Sequence, residues 1–131
     1  MAAVWVVEQL DPPAEIDRLV GFFSLSPVSI RIAPAVMTAL AISAPYHMIG
    51  GWLLGRLGVA HRHQGKGIGR LLTASAINTA AALSRHTAGV ILAVDPVNEA
   101  VMHWYLGLDF GFQRLAPNDP GIRRLAMRLP P

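Results

Sequence analysis

The chain of 131 residues contains no cysteine, one lysine beside ten arginines, and aromatic and charged fractions of only 7% and 15%. Without thiols there is no disulfide framework, no thiolate zinc site, no iron–sulfur cluster and no cysteine nucleophile, and a reducing cytoplasm is the compartment that suits such a composition. No basic leader stands before the first apolar run, Ala2-Ala3-Val4-Trp5-Val6-Val7, which is too short for a secretory signal, so no export is expected. The stretch from Ile32 to Gly55 carries no charge and is long enough to cross a bilayer. Pro34, Pro45, Gly50 and Gly51 would each break a spanning helix, so no membrane association is expected.

The hydrophobic fraction is high, 53%, with a mean hydropathy of +0.42. That is ample to offset chain entropy in one core, and residues 1–131 are expected to form a single domain. Charge is uneven along the chain: residues 1–30 carry four acidic groups against Arg18 alone, whereas residues 31–131 carry ten basic and four acidic groups. A polyanion would meet the later part.

Ala3 to Glu8 is a β-branched and aromatic run that reads as a strand, stopped by a turn at Gln9-Leu10-Asp11-Pro12-Pro13. Leu19 to Leu25 reads as its antiparallel partner. Residues 33–48 read as loop with a short helix, and Ile49 to Ala60 as a long apolar strand whose four glycines suggest a bulge or close backbone approach. Ile68 to Ser84 has helical spacing and many alanines, and Ala88 to Val94 is the unbroken apolar run of a buried strand. Asp95-Pro96 reads as the start of a helix reaching about Leu106. Gly111 to Ala116 and Arg123 to Leu129 read as two final strands. The order β, β, β, glycine turn, α, β, α, β, β specifies an α/β fold with a mixed sheet and a central strand–helix–strand crossover.

Between the best strand and the best helix lies Gln64-Gly65-Lys66-Gly67-Ile68-Gly69. Glycines there let backbone N–H groups converge at the positive end of a helix, which is how proteins bind phosphate. A P-loop would need glycine at position 60 and serine or threonine at 67, where Ala60 and Gly67 stand, and a dinucleotide fingerprint would need glycine at position 70, which is Arg70. The remaining readings are another kind of phosphate loop or a turn without a ligand.

Here the chain resembles the GNAT superfamily of N-acetyltransferases, in which a Q/R-x-x-G-x-G/A loop holds the pyrophosphate of acetyl-CoA: Gln64, Gly67 and Gly69 match it. Leu53-Leu54-Gly55-Arg56-Leu57-Gly58-Val59 looks like the family's central strand, and Asn98-Glu99-Ala100 with Tyr105 and Phe110-Gly111-Phe112 looks like its second motif. The resemblance spans about residues 1–129, and within the superfamily the chain is most similar to the acetyltransferase toxins of type II toxin–antitoxin systems.

The resemblance implies a GNAT-like mixed sheet with flanking helices, lacking the usual first strand and first two helices. It implies acetyl-CoA as cosubstrate and no metal, held by the backbone at Leu57, Gly58 and Val59, by Gln64, Gly65, Lys66, Gly67, Ile68, Gly69 and Arg70, and by Asn98 on the pantetheine arm. It implies Tyr105 as the proton donor to the departing thiolate. It further implies charged tRNA as the acceptor, a ribbon-helix-helix antitoxin as a partner, and a homodimer. Two departures stand out: the interval from Tyr105 to Gly111-Phe112 is longer than the family's, and Pro34 to Gly51 lacks the arginines usual in the toxins. A small amine or a protein N-terminus is the alternative acceptor, and an inactive fragment serving as an interaction module is the alternative from another class.

Arg56, Arg62, Lys66, Arg70 and Arg85 cluster around the loop, and Arg114, Arg123, Arg124 and Arg128 follow on the last strands, so CoA and tRNA phosphates both have candidate partners. An acidic antitoxin tail would suit the same charges. No exposed aromatics that would stack single-stranded bases are evident in the pattern. His61 and His63 share a face in an extended segment but have no third ligand beside them. His47 and His103 are bases by type, and neither has a partner in the sequence that singles it out.

Overall fold

The apolar positions of Ile68–Ser84 decide where the main core forms. Leu72, Ala76, Ile77, Ala80 and Ala81 recur on one face of this helix and are buried, whereas Leu71, Ser75 and Asn78 are exposed. The alanines let the helix lie close on the sheet. Thr73, fully buried beside them, donates its hydroxyl to the Gly69 carbonyl at 2.9 Å, so this hydroxyl is satisfied within the helix.

The computed structural model describes residues 2–8, 19–87 and 89–131. The elements run β1 (Ala3–Glu8), β2 (Leu19–Arg31), α1 (Pro34–Leu40), β3 (Met48–Val59), α2 (Ile68–Ser84), β4 (Ile91–Val94), α3 (Glu99–Gly107), β5 (Gln113–Arg114) and β6 (Leu125–Arg128). They form a mixed six-stranded sheet in the order β1-β2-β3-β4-β6-β5. Only β3 and β4 run parallel; the other described pairs are antiparallel. This α/β architecture is the one the element order specifies.

Each face of the sheet has its own core. Phe23, Leu25, Leu54, Leu92, Val94, Leu125 and Met127 meet α2 and α3 on one side. Ile30, Ile32, Ile49, Ile91 and Ala126 meet Val36, Met37 and Leu40 of α1 on the other. Burying a side chain such as Leu54 or Leu92 completely contributes about 1.5–3 kcal/mol. Gly51 permits the β3–β4 contact, since a Cβ there would run into the Ile91 carbonyl oxygen.

Several boundaries differ from those read in the sequence. β2 continues past Leu25 to Arg31, through Pro27. Beyond Leu25 no β1 residue flanks it, so β2 is an edge there, where proline is tolerated. Helix α3 does not start at Asp95-Pro96: Asn98 is the N-cap and its side chain accepts a hydrogen bond from Val101 N–H at 2.9 Å, while Asp95 is drawn to Arg124. The final strands shrink to Gln113–Arg114 and Leu125–Arg128. The apolar run before Val94 is strand only from Ile91, although Val90 already bonds to the Gly50 carbonyl and the Leu129 N–H, and Ala88 lies outside the described residues. The turn read at Gln9 to Pro13 also lies outside them. Among the described residues no helix is long and apolar enough to cross a membrane, and Ile32 to Gly55 divides between α1 and β3.

Candidate active site

β3 and β4 pair only from Gly51 with Ile91 to Leu54 with Val94. β4 then ends, whereas β3 runs on to Val59 with β2 on one side and open space on the other. A bulge sits at this point, opposite Ser24 and Leu25, and buried Ser24 Oγ accepts from Arg56 N–H at 3.0 Å. Ala60 N–H also points to β2, donating to the Val20 carbonyl at 2.8 Å. Backbone groups alternate along a strand, so Leu57 and Val59 direct theirs into the gap, and Gly58 directs its own toward β2. The gap is a cavity of about 380 Å³ whose walls include Leu54, Leu57, Val94, Pro96, Val101 and Tyr105.

The glycine loop follows directly. A short turn, His61–His63, leads into it, and Gln64 reaches back with its side-chain amide to donate to the Val59 carbonyl at 3.2 Å, tying the loop to the end of β3. Gly65 and Gly67 have φ of +77° and +78°, a conformation that favours glycine, and a Cβ on either would enter open space. Gly67 is the N-cap of α2 and has no side chain to satisfy the first N–H groups of the helix. Gly69 is small for another reason: a Cβ would stand 3.0 Å from the Trp104 indole. A second cavity of about 260 Å³ is walled by Gln64, Gly65, Gly67, Gly69, His63 and Trp104.

Tyr105 faces the first cavity from α3 and is 5% exposed. Its ring stands edge-on to Trp104 (4.9 Å between centroids) and to Phe112 (5.6 Å). The Phe112 contact holds despite the lengthened interval before Gly111-Phe112. Burial pushes the phenol up to about 12, so near neutral pH the hydroxyl keeps its proton and acts as a donor. An unfolded tyrosine ionises near 10, so the stability tied to this burial is fully present below pH 10 and is lost as pH rises through 12. At pH 11 the loss is expected to be about 1.4 kcal/mol relative to pH 8. Urea titrations at both values should show it in the parent chain and not in Tyr105→Phe.

Residues 5–112 match the model of the acetyltransferase (GNAT) family. The chain belongs to that family. A solved tyrosine-to-phenylalanine variant of KacT is 25% identical with a TM-score of 0.77, the match covering 96% of this chain and 70% of that one. A tyrosine-to-phenylalanine variant of the AtaT toxin is 26% identical with a TM-score of 0.73, covering 96% and 66%. AtaT complexed with acetyl-methionyl-tRNAfMet, 24% identical with a TM-score of 0.72 and coverage of 88% and 66%, shares the fold. The chain thus spans about two thirds of the length of these proteins.

Acetyl-CoA is the cosubstrate of this GNAT fold, and the residues present fit it. The open space over Gly65 and Gly67 and the uncapped start of α2 adjoin the end of β3, where Val59 lines the loop cavity and Leu57 lines the gap. Gln64, Gly65, Gly67, Ile68 and Gly69 stand together at this junction, with Lys66 exposed beside them. Two expected contributors are held otherwise. Arg70 lines the loop cavity, but its guanidinium donates to the Leu108 carbonyl at 2.6 Å and lies 4.5 Å over the Phe110 ring, locking α2 to the end of α3. Asn98 uses its carbonyl oxygen as the helix cap and does not line the gap, which leaves only its amide nitrogen for a ligand.

His47 lies before β3, at the far end of the sheet, and His103 is exposed on α3; neither lines the gap. Among the described residues no three metal-ligating side chains come together. Sequence reasoning missed Trp104 as a wall of the loop cavity and the bidentate pair of Arg124 with Asp95, at 2.5 and 2.6 Å, which holds Asp95 below the usual carboxylate range. Arg123 adds bonds to the Pro96 and Val97 carbonyls. Together they pin the β4–α3 connection that forms one lip of the gap.

Proposed function

We propose that this chain transfers the acetyl group of acetyl-CoA to the primary amine of an aminoacyl-tRNA, as a toxin that blocks translation in the cytoplasm, and that a ribbon-helix-helix antitoxin restrains it. The observation that carries the transfer is the junction of two features: a glycine cradle at the start of α2 and, at the other end of the same free strand edge, a gap containing a protonated tyrosine. The cosubstrate supplies an acetyl thioester, whose C–S bond breaks as a C–N bond forms to the amine. The protein's part is placement and charge. Leu57 and Val59 N–H groups are positioned to hold a carbonyl oxygen, and aligned donors of this kind contribute about 2.7–4 kcal/mol to a transition state. Tyr105 Oη supplies the proton that a departing thiolate needs. Among the described residues the gap is lined by no histidine and by no carboxylate except Asp95, which Arg124 holds, so the amine's proton is assigned to water.

The acceptor reading is supported by Arg56, Arg62 and Lys66 near the gap and the loop, and by the relation to AtaT, which has been solved with acetyl-methionyl-tRNAfMet. A homodimer is the proposed assembly, because β1 leaves an apolar edge with Val4 and Val6 exposed. The uncharged α1 favours the second reading, a small amine as acceptor. The deciding experiment follows label from acetyl-CoA to aminoacyl-tRNA, deacylated tRNA and free amino acid. Transfer to the charged tRNA alone is the expected result. Equal transfer to free amino acid would replace the tRNA reading with the small-amine one, and transfer to none would leave an interaction module.

A further inference from the structure

The end of the sheet opposite the glycine loop carries a feature that acetyl transfer does not use. Three chain segments converge there: the end of β2 leading through α1 into β3, the end of α2 leading into β4, and the end of β6. Residues 26–52, 82–94 and 126–131, which build it, contain no aspartate or glutamate, but they hold Arg31, Arg85 and Arg128 together with His47 and His86. Arg85 and Arg128 wall a cavity of about 560 Å³, larger than either cavity at the cofactor end, and Arg128 also donates to the Ala41 carbonyl at 2.8 Å, which leaves part of its guanidinium for a ligand. Arg31 is exposed at the last pair of the β2–β3 ladder.

Beside these cations the chain displays an aromatic side chain. Tyr46 is 86% exposed, and it is held there by a strained backbone: Tyr46 has φ of +60° and His47 +57°, two successive non-glycine residues in the left-handed region. The Ile32 N–H bond to the His47 carbonyl, 2.9 Å, locks the turn to the end of β2, one residue from Arg31. Local strain of this sort persists where the surroundings enforce it. An exposed aromatic plane on the same end of the sheet as several guanidinium groups, with Arg31 nearest in the chain, suits single-stranded nucleic acid, with phosphates on arginine forks and a base on the ring. It also corrects the expectation that no exposed aromatic accompanies the basic residues: the sequence places Tyr46 in an apolar stretch, and only the turn geometry turns it outward.

We propose that this pole is a binding surface for single-stranded RNA, with Arg31, Arg85 and Arg128 on the phosphates and Tyr46 stacked on a base. The twelve residues of β3 set Arg31 and Tyr46 about 40 Å from the glycine loop, and the 17 residues of α2 set Arg85 about 26 Å from it, so the pole is separate from the cofactor's phosphate site. It stands apart from the choice of acceptor and holds equally for a chain that acetylates a small amine. An acidic protein would be drawn by the arginines but would gain little from a lone exposed ring.

The test is fluorescence anisotropy of a short labelled oligouridine on the full chain across a salt series. Tyr46→Gly suits the positive φ, so the fold is kept or strengthened, and it removes the ring. It should weaken binding about 5- to 150-fold, and Tyr46→Trp should retain it. Arg31→Ser with Arg85→Ser should flatten the dependence of log affinity on log salt by about 0.7 for each phosphate no longer neutralised. Unchanged binding in both variants, with loss instead on Arg56→Ser and Lys66→Ser, would move the RNA to the cofactor end and overturn the proposal. So would polyglutamate displacing the RNA and binding Tyr46→Gly as tightly as the parent, which would make the pole an acidic-protein dock.

Discussion

Replacing Tyr105 with phenylalanine is expected to lower acetyl transfer about 10²- to 10⁴-fold while leaving acetyl-CoA affinity and neutral-pH stability nearly unchanged. The separation follows from how the ring is held. Trp104 and Phe112 pack against its edges, and phenylalanine fills the same volume. Among the described residues the hydroxyl has no hydrogen-bond partner, so removing it leaves no buried group unsatisfied. What disappears is the one proton that burial keeps on an oxygen facing the gap. Single-turnover transfer and calorimetric titration of acetyl-CoA, measured on the same preparations, check both halves. A rate within a few-fold of the parent would mean that another group protonates the thiolate. Tyr105→Ala is the wrong substitution for this purpose, since truncating a buried aromatic costs about 3–5 kcal/mol and disturbs the core itself.

The second large effect is expected at Gly67. Gly67→Val should weaken acetyl-CoA binding at least about 100-fold, because the side chain fills the open space above the start of α2 where phosphate oxygens would meet backbone donors, each such charge-assisted bond contributing about 1.5–3 kcal/mol. Valine also strains the loop at φ of +78°, so a stability loss would confuse the result. Gly67→Asn separates the two effects, since asparagine tolerates the left-handed region yet still places a side chain in the cradle. Both variants should lose binding, while only valine should lower the melting temperature noticeably. Normal affinity in Gly67→Asn would place the cofactor's phosphates elsewhere.

The local features proved the most legible. Helix α2 begins and ends where its apolar spacing and the preceding glycines put it, at Ile68 and Ser84, and β1 spans Ala3–Glu8 as its β-branched run indicates. The loop was legible because three glycines in a row of six have a conformational meaning of their own. The start of α3 was misread because two residues, Asp95 and Asn98, are equally suited to cap a helix. Choosing between them depended on Arg124, twenty-nine residues away, which takes Asp95 by a two-pronged contact and leaves Asn98 for the helix. Arg70 shows the same dependence: its charge suggests a phosphate, and its engagement with Leu108 and Phe110 is invisible until α2 and α3 are packed together.

The sequence by itself determined the order of elements, the phosphate-type loop between β3 and α2, and the absence of thiol chemistry, since each depends on residue type and spacing over a few neighbours. Only the tertiary structure decided that β3 outruns β4 to open a gap, that Tyr105 is buried enough to hold its proton, and that Tyr46 stands outward at the end of the sheet where Arg31, Arg85 and Arg128 also lie. Those properties depend on pairing and packing between residues far apart in the chain, where burial and electric field are set jointly and by no single stretch of sequence.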